Sequence, residues 1–550
     1  FPMKNLLSVF TPLACLFFLG CAKSPSSDES APSPLVPEIE VPGAKSKPMA
    51  YVKTIALPKL IQKAVEVVEA VKPGPQSAML PMMVGMALGD PALGSIEPDA
   101  PCTVLLFDDF KQSEPTFVLA MKLKPASPVA KQVQTVGLKT IEKDGWTLAT
   151  MTPSLFDAVT DWTSVLSFVQ KAPANDLEAG VLLESFWKEM PDVKDSIVQE
   201  LGSPAMGQLV EVTFDEFASL NATKFELSLS AEEIMLLVTA SAFENSELHT
   251  LFSSKPKAFS PDVANYVSGG GWMDALVNVD SESLLRYVES VGGRINENTK
   301  DEEAKALVNG YIALIRQGTK MYGGQAAMSM SYGLEDAGNP LGFVQVASTQ
   351  ASPSELKKFV SESVALSREM FSNMEIFQSV GLKYDFEFSE SARIDGVEVF
   401  EFGMKMDTEG LEGDIPSALL YSNTRTFFAV LDGKYLAAND EDQISKLLRS
   451  VKTGTPVKNN LAEKLSLDEG EIISWQLNLG RYAQMVMSMV EVGGDNQLGE
   501  LIDGVVALNV PPLTGKFSLG KSRLSSEIRI PVKSIKAGFD YFESASQPQF

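Results

Sequence analysis

Segments that alternate apolar and polar positions recur along the chain from residue 103 onward, and segments with helical spacing follow them. The alternation, as in Phe225 and Leu227, has the period of a strand with one covered face. Asp144-Gly145, between two such segments, is a dipeptide typical of tight hairpin turns. The sequence therefore predicts an α+β fold with mainly antiparallel sheets that helices cover on one face.

The predicted elements recur. Three pairs of segments match in sequence: 144–149 with 432–437, 224–227 with 516–519, and 273–279 with 473–479. The first two pairs have nearly the same separation, which indicates a duplication. Repeated strand–helix–strand–strand–helix units are predicted near 177–253, 272–365 and 471–545. The expected organisation is a first α+β unit with N-terminal helices at 51–255, a middle unit at 256–382, and a second copy of the first unit at 383–550.

The first 21 residues have the composition of an export signal. Lys4 precedes an apolar run at 6–19, which is shorter than the about 20 apolar residues that span a bilayer. The run ends in Leu19-Gly20-Cys21, and here the chain resembles the signal peptides of bacterial lipoproteins. The resemblance implies a signal peptide at 1–20, cleavage before Cys21, and a lipid anchor on the Cys21 thiol. An ordinary signal peptide with an unmodified Cys21 is the alternative.

The same resemblance implies a location. Acyl chains on Cys21 would attach the protein to a membrane, and Ala22 in place of Asp implies the outer membrane, with the protein facing the periplasm. Residues 22–50 are rich in Ser and Pro, so we expect residues 21–50 to comprise the lipidated cysteine and an extended linker. In layout, though not in any motif, the mature chain resembles large envelope lipoproteins of unknown function.

Charge and rare residue types narrow the possible functions. The net charge is −25, which makes nucleic acid a poor partner because its phosphates are repelled. Of the three cysteines, Cys102 alone remains as a free thiol after processing at Cys21, and we expect it to be buried. The single histidine, His249, is interpreted as a surface or hydrogen-bonded residue on a helix. We expect no cofactor.

No catalytic constellation stands out, and we expect a protein that is not an enzyme. One set of short motifs is similar to those of penicillin-binding serine hydrolases: Ser354-x-x-Lys357, Tyr421-x-Asn423 and Lys452-Thr453-Gly454. In that family the serine is the nucleophile, and the lysine and tyrosine transfer protons. Here the third motif follows a predicted helix rather than lying on a strand, and the serine is better placed near a helix N-cap. A serine hydrolase is therefore a remote alternative.

Two loops carry weaker signals. The acidic segment 407–414 offers oxygen ligands to Ca²⁺ but lacks the EF-hand spacing, so we interpret it as a solvated loop and expect no metal. Gly269, Gly270 and Gly271 lead into a strand rather than a helix. This position argues against a phosphate-binding loop and favours a flexible joint between units.

Methionines are concentrated between residues 79 and 86. Met79, Met82, Met83 and Met86 suit an irregular core, which is our main interpretation, or an adaptable ligand-binding surface, which is the alternative. For the whole chain, the sequence favours a membrane-anchored envelope lipoprotein with a non-catalytic binding or scaffolding function. The alternative is a periplasmic carrier of a lipid or another apolar ligand, which would need a cavity open to solvent.

Overall fold

The computed structural model describes residues 35–36, 40–41, 48–107, 116–159, 161–183, 218–298, 302–332, 341–373, 383–390, 393–407, 424–488 and 510–546. In these ranges, eighteen strands pair into one large antiparallel sheet, and helices pack against it. The predicted class, a mixture of helices and antiparallel strands, is confirmed.

The first half of the described chain contains eight strands and six helices. In chain order they are β1 (Pro48–Ala56), α1 (Leu57–Val71), α2 (Pro75–Ala87), β2 (Pro101–Phe107), β3 (Phe117–Met121), α3 (Pro128–Thr135), β4 (Lys139–Lys143), β5 (Trp146–Thr150), α4 (Leu155–Ala158), α5 (Trp162–Gln170), β6 (Leu177–Leu182), β7 (Leu220–Leu229), β8 (Glu233–Ala242) and α6 (Glu247–Phe252).

The second half of the described chain contains the other ten strands. Its elements are β9 (Met273–Asn278), α7 (Ser281–Asn298), α8 (Glu302–Met321), β10 (Gln325–Tyr332), β11 (Leu341–Ser348), α9 (Pro353–Asn373), β12 (Lys383–Glu390), β13 (Phe400–Asp407), β14 (Thr424–Leu431), β15 (Lys434–Ala438), α10 (Glu441–Thr453), β16 (Glu471–Leu477), α11 (Leu479–Ser488), β17 (Leu513–Gly520), β18 (Arg523–Pro531) and α12 (Val532–Ser546). Short 3₁₀ helices lie at Pro261–Tyr266 and Leu461–Glu463.

The strand pairs give one linear order across the sheet: β4-β5-β3-β2-β1-β6-β7-β8-β18-β17-β16-β9-β10-β11-β15-β14-β13-β12. Within the first half, β1 lies between β2 and β6. Within the second half, β9 lies between β10 and β16. The two halves meet where β8 pairs with β18 at the centre of the sheet.

Tight turns close two of the hairpins. Asp144-Gly145 joins β4 to β5, and Asp432-Gly433 joins β14 to β15. All four residues have positive φ, with values of 49° and 76° in the first turn and 49° and 69° in the second. This conformation matches the right-handed twist of the flanking strands, and Gly adopts it without strain. The predicted hairpin at Asp144-Gly145 is therefore confirmed.

Helix α10 shows how local sequence fixes an element. The Asp440 carboxylate accepts a hydrogen bond from the Gln443 backbone N–H at 2.9 Å, which caps the helix N-terminus. Acidic residues occupy the first turn and Lys452 the last, as the helix dipole favours. The inner face buries Ile444 and Leu448 completely, so hydrophobic burial holds the helix on the sheet.

Helices pack on both faces of the sheet in the first half. On one face, Leu105 of β2 shares a core with Leu166 of α5. On the other face, Cys102 of the same strand packs against a core that contains Ile61 of α1. Successive residues of a strand point to opposite faces, so the two cores lie on opposite sides of β2.

The same arrangement occurs in the second half. Leu436 of β15 packs with Ile444 of α10, whereas Tyr435 packs with Leu356 of α9. The prediction that helices cover only one face is therefore wrong at both places. The strands there are buried on both faces: all five residues of β5 are buried, and so are the last four of β15.

The predicted linker at 21–50 packs against the body at two points. Leu35 is fully buried and Val41 is 3% exposed, and both belong to the core that contains Leu105. Strand β1 begins at Pro48, within the predicted linker. It extends to Ala56 and so occupies the first residues of the predicted unit at 51–255, which was expected to begin with helices. Three apolar residues, Leu35, Val36 and Val41, attach this segment to the core, although its composition is that of a linker.

A buried carboxylate holds the glycine run at 269–271. Asp274 is 1% exposed and accepts hydrogen bonds from the backbone N–H groups of Gly270 and Gly271 at 2.8 and 3.2 Å. It also accepts from Ser329 Oγ at 2.6 Å and from Gln476 Nε2 at 2.7 Å. A Cβ at Gly271 would collide with the Met330 carbonyl oxygen. The prediction of a flexible joint is therefore wrong, because four donors fix this turn on the sheet.

We predict that Asp274→Ala destabilises the protein by at least about 3 kcal/mol, since it leaves several buried donors without an acceptor. The free energy of unfolding measured in urea tests this. Asp99→Ala is the matched control, because Asp99 is 81% exposed and forms a surface ion pair with Lys59. The control should lose no more than about 1 kcal/mol. Equal losses in the two variants would contradict the assignment of Asp274.

Candidate functional site

The four methionines of α2 lie on its outer side. Met79, Met82, Met83 and Met86 have exposed fractions of 46, 43, 55 and 52%. Their spacing is i, i+3, i+4 and i+7, which places them on one stripe of the helix. The main interpretation from sequence, core packing, is therefore wrong. We call these four residues the methionine stripe.

From Ala78 to Ala87, helix α2 is apolar around its whole circumference. Its thirteen residues include no charged side chain. Val84 on its inner side packs into the core that contains Ile61. A helix that is apolar all round is ordinarily buried in protein or lipid, and exposed apolar stripes mark sites of interaction. The methionine stripe is thus a candidate binding surface.

The turn that follows α2 fixes the position of the helix. The Asp90 backbone N–H donates to the Gly85 carbonyl at 2.8 Å. The Asp90 carboxylate accepts from the Ser95 N–H at 2.7 Å and from Ser95 Oγ at 2.6 Å. The hydrogen bonds from Ser95 lower the pKa of Asp90. These bonds close the segment 90–96 into a loop that leads back under the helix.

A cavity of about 400 Å³, open to solvent, lies between α1, α2 and the loop that follows α2. Its lining is mostly apolar and includes three prolines: Pro58, Ile61, Val65, Pro81, Leu93, Ile96 and Pro98. Lys124 lines the same cavity and donates to the Gly94 carbonyl at 2.7 Å. The volume falls in the range of small-molecule sites, about 300–1,000 Å³, and such sites are mostly apolar. Pro81 lines the cavity from α2, directly before Met82.

The structure separates the residues of the hydrolase-like motifs. Ser354 and Lys357 lie in the first turns of α9, which packs on one face of the sheet through Leu356. Lys452 lies in the last turn of α10, which packs on the opposite face, and it donates to the Asp395 carbonyl at 2.9 Å. Tyr421 and Asn423 lie outside the described residues. Because the sheet separates serine from lysine, these motifs do not form one site.

Other predicted residues have structural surroundings. His249 is half-buried on the short helix α6. Cys102, expected to be buried, is half-buried and packs against the core that contains Ile61; desolvation raises the pKa of its thiol to about 11, so the thiolate is scarce at neutral pH. Cys21 and residues 408–414 of the acidic loop lie outside the described residues. Among the residues that are described, no group of three or more His, Cys, Asp and Glu could hold a metal ion.

Sequence reasoning missed a buried lysine on β1. Lys53 is 2% exposed, and its Nζ donates to the Phe168 carbonyl of α5 at 2.9 Å and lies 3.7 Å from the centre of the Phe168 ring. Burial lowers the pKa of Lys53 to about 8, and the nearby Glu178 opposes this shift. A charged residue within an otherwise apolar strand was the available signal. A lysine with a lowered pKa can act as a nucleophile, but Lys53 does not line the cavity between α1 and α2.

The Glu178 carboxylate connects this lysine to a wider polar row. Tyr51 Oη donates to Glu178 Oε1 at 2.7 Å, and Lys224 Nζ lies 3.2 Å from Glu178 Oε2 and 3.3 Å from Glu226 Oε1. These residues lie on neighbouring strands β1, β6 and β7 and point to the same face. Each charge therefore has a partner, as buried charges require.

No protein-family model, no curated protein and no solved structure matches this chain. Within the described ranges, no helix has both the length and the apolar content needed to cross a bilayer.

We predict that Met83→Gln leaves the free energy of unfolding within about 0.5 kcal/mol of the wild type, because the side chain is already in contact with water. Met121→Gln is the matched control. Met121 is 4% exposed, and burying an amide there should cost about 1–3 kcal/mol. Chemical denaturation of both variants tests the exposure of the stripe, and an equal loss at the two positions would contradict it.

We predict that Lys53 makes stability rise with pH between about 8 and 10. Its pKa is about 8 in the folded chain against 10.5 for an ordinary lysine, so the unfolded chain binds more protons in this window. The cost of burying the charge, present below pH 8, is relieved as the pH rises. The free energy of unfolding of the wild type minus that of Lys53→Met, from urea denaturation, should rise across this window. The exposed control Lys59→Met should show no such pH-dependent difference from the wild type; a pH dependence unchanged in Lys53→Met would contradict the prediction.

Proposed function

We propose that the chain is a lipid-anchored protein of the bacterial envelope that binds an apolar ligand and catalyses no reaction. The anchor is Cys21, and the location is the periplasmic side of the outer membrane. The observation that carries the ligand assignment is the apolar cavity of about 400 Å³ beside the uncharged helix α2. A scaffold needs only a surface, whereas a carrier needs a cavity. The cavity therefore favours the carrier function over scaffolding.

We also propose that the sheet consists of repeated units of one strand, two helices, a strand hairpin and a helix. The order β1-α1-α2-β2-β3-α3 has the same sequence of elements as β9-α7-α8-β10-β11-α9. The strand pairs support this equivalence, since β1 pairs with β2 and β6, and β9 pairs with β10 and β16. The first of these units, at 48–135, was not among those predicted from sequence.

The proposed equivalence supports a special function for α2. Its counterpart α8 carries charged residues from Glu302 to Lys320, whereas α2 has none. Two helices at equivalent places in one fold have the same packing requirement against the sheet. Helix α2 has no charge although its outer face meets water. This absence is therefore explained by a ligand or partner rather than by the fold.

We predict that the protein binds a fluorescent polyene fatty acid and that Gly94→Leu weakens this binding at least tenfold. Gly94 lines the cavity, and a Cβ added there has no heavy atom within 4 Å, so a leucine can occupy the cavity without disturbing the fold. Fluorescence titration gives the affinity.

Gly520→Leu is the matched control for this titration. Gly520 lies at the end of β17, and a Cβ there also has no heavy atom within 4 Å. This variant should keep the wild-type affinity. No binding by the wild type, or equal binding by all three proteins, would refute the cavity as the ligand site.

A further inference from the structure

The methionine stripe needs an occupant because about half of each side chain is exposed on a helix that has no charge. Methionine is flexible and polarisable, so a stripe of it adapts to an irregular apolar surface. The stripe does not line the cavity; Pro81 on the other side of α2 does. None of the described residues covers the stripe, so it is free to meet a surface outside this part of the chain, and the ligand in the cavity is a separate question.

The charge of the chain is distributed unevenly around α2. Residues 57–150, which include α1, α2 and the strands β2 to β5, contain nine basic and ten acidic residues. Their net charge is −1, so the rest of the chain carries −24 of the total of −25. An anionic lipid surface repels the acidic rest of the chain. The nearly neutral residues 57–150 are therefore the part that can approach such a surface.

The attachment point of the proposed anchor lies in the same half of the sheet. Leu35 is buried in the core that contains Leu105 of β2. Only residues 22–34 therefore separate Cys21 from the body, and thirteen residues span at most about 45 Å when fully extended. A lipid on Cys21 would keep Leu35 within this distance of the bilayer, and α2 lies in the same half of the sheet, on its opposite face.

We propose that α2 docks on the lipid bilayer, with the methionine stripe inserted among the headgroups and upper acyl chains. Interfacial helices bury an apolar face by about 5–10 Å in this way. The Gly85–Asp90 contact and the loop behind it hold the helix, so the stripe is presented on a fixed element. This inference rests on the proposed function through the Cys21 anchor, and it places the apolar cavity next to a source of acyl chains.

Site-specific quenching tests the docking in the full, lipidated chain. Met83→Cys is labelled with an environment-sensitive fluorophore and reconstituted in vesicles of phosphatidylethanolamine and phosphatidylglycerol that contain a doxyl-labelled phospholipid. Labelling is selective because Cys21 is acylated and the half-buried Cys102 thiol has a raised pKa. Lys446→Cys, on the exposed side of α10 on the other face of the sheet, is the matched control for mere tethering. Met79→Cys provides a second position on the stripe.

The expected result is several-fold stronger quenching at Met83 and Met79 than at Lys446. A Met82→Glu substitution should reduce the quenching at Met79, since a carboxylate opposes insertion. Equal quenching at all positions would show tethering alone, and no quenching at Met83 would show that the stripe faces a protein or water; either result overturns the proposal. The fatty-acid titration uses no bilayer, so failure of ligand binding is distinguishable from failure of docking.

Discussion

The pairing of β8 with β18 is the interaction on which the architecture depends. It runs over nine residue pairs, from Arg523 opposite Ser241 to Pro531 opposite Glu233. Without it, each half of the sheet would present a long strand with unpaired backbone N–H and C=O groups at its edge, which favours aggregation. The pairing satisfies both edges at once and converts two sheets into one.

Helices from both halves reinforce this junction. Helix α6 of the first half packs against α7 of the second, through a core that contains Leu248 and Tyr287. Helix α12 of the second half contacts α1 of the first, where Lys72 Nζ lies 3.0 Å from Glu543 Oε1 and 4.6 Å from the centre of the Phe539 ring. Each half thus contributes a helix that packs on the other half. The exposed ion pair adds little by itself, so the apolar contacts and the strand pairing carry the junction.

The two strands left at the edges of the described sheet are protected by charge. Strand β4 carries Lys139, Glu142 and Lys143 within five residues. Strand β12 alternates charged and aromatic residues, with Lys405 of the neighbouring β13 2.8 Å from Glu387. Charges on edge strands oppose pairing with a second molecule. The need to avoid unpaired strand edges therefore explains both the pairing of β8 with β18 and the charges on the two outermost strands.

The sequence predicted what depends on neighbours along the chain and missed what depends on distant contacts. The Asp144-Gly145 turn follows from local backbone preferences, and it was correctly predicted. The burial of Asp274 depends on Ser329 and Gln476, which are far away in sequence, so the glycine run before it was misread as flexible. The exposure of the methionine stripe was missed for the same reason. Composition identifies an apolar helix, but only its packing partners decide which side meets water.

The lengths of neighbouring helices explain why the stripe is exposed. In the second half, α8 contacts α7 and also α9, which has 21 residues and is therefore about 32 Å long. The helix at the equivalent place in the proposed repeat, α3, has 8 residues and is about 12 Å long. A helix this short covers little of its neighbour, so α2 keeps a free outer face, whereas the longer α9 packs along α8. In the proposed repeat with the shorter covering helix, the helix beside it also lacks charged residues. A short α3 leaves the outer face of α2 open to water, and water favours a polar surface. The outer face of α2 is apolar instead, which is consistent with contact with lipid.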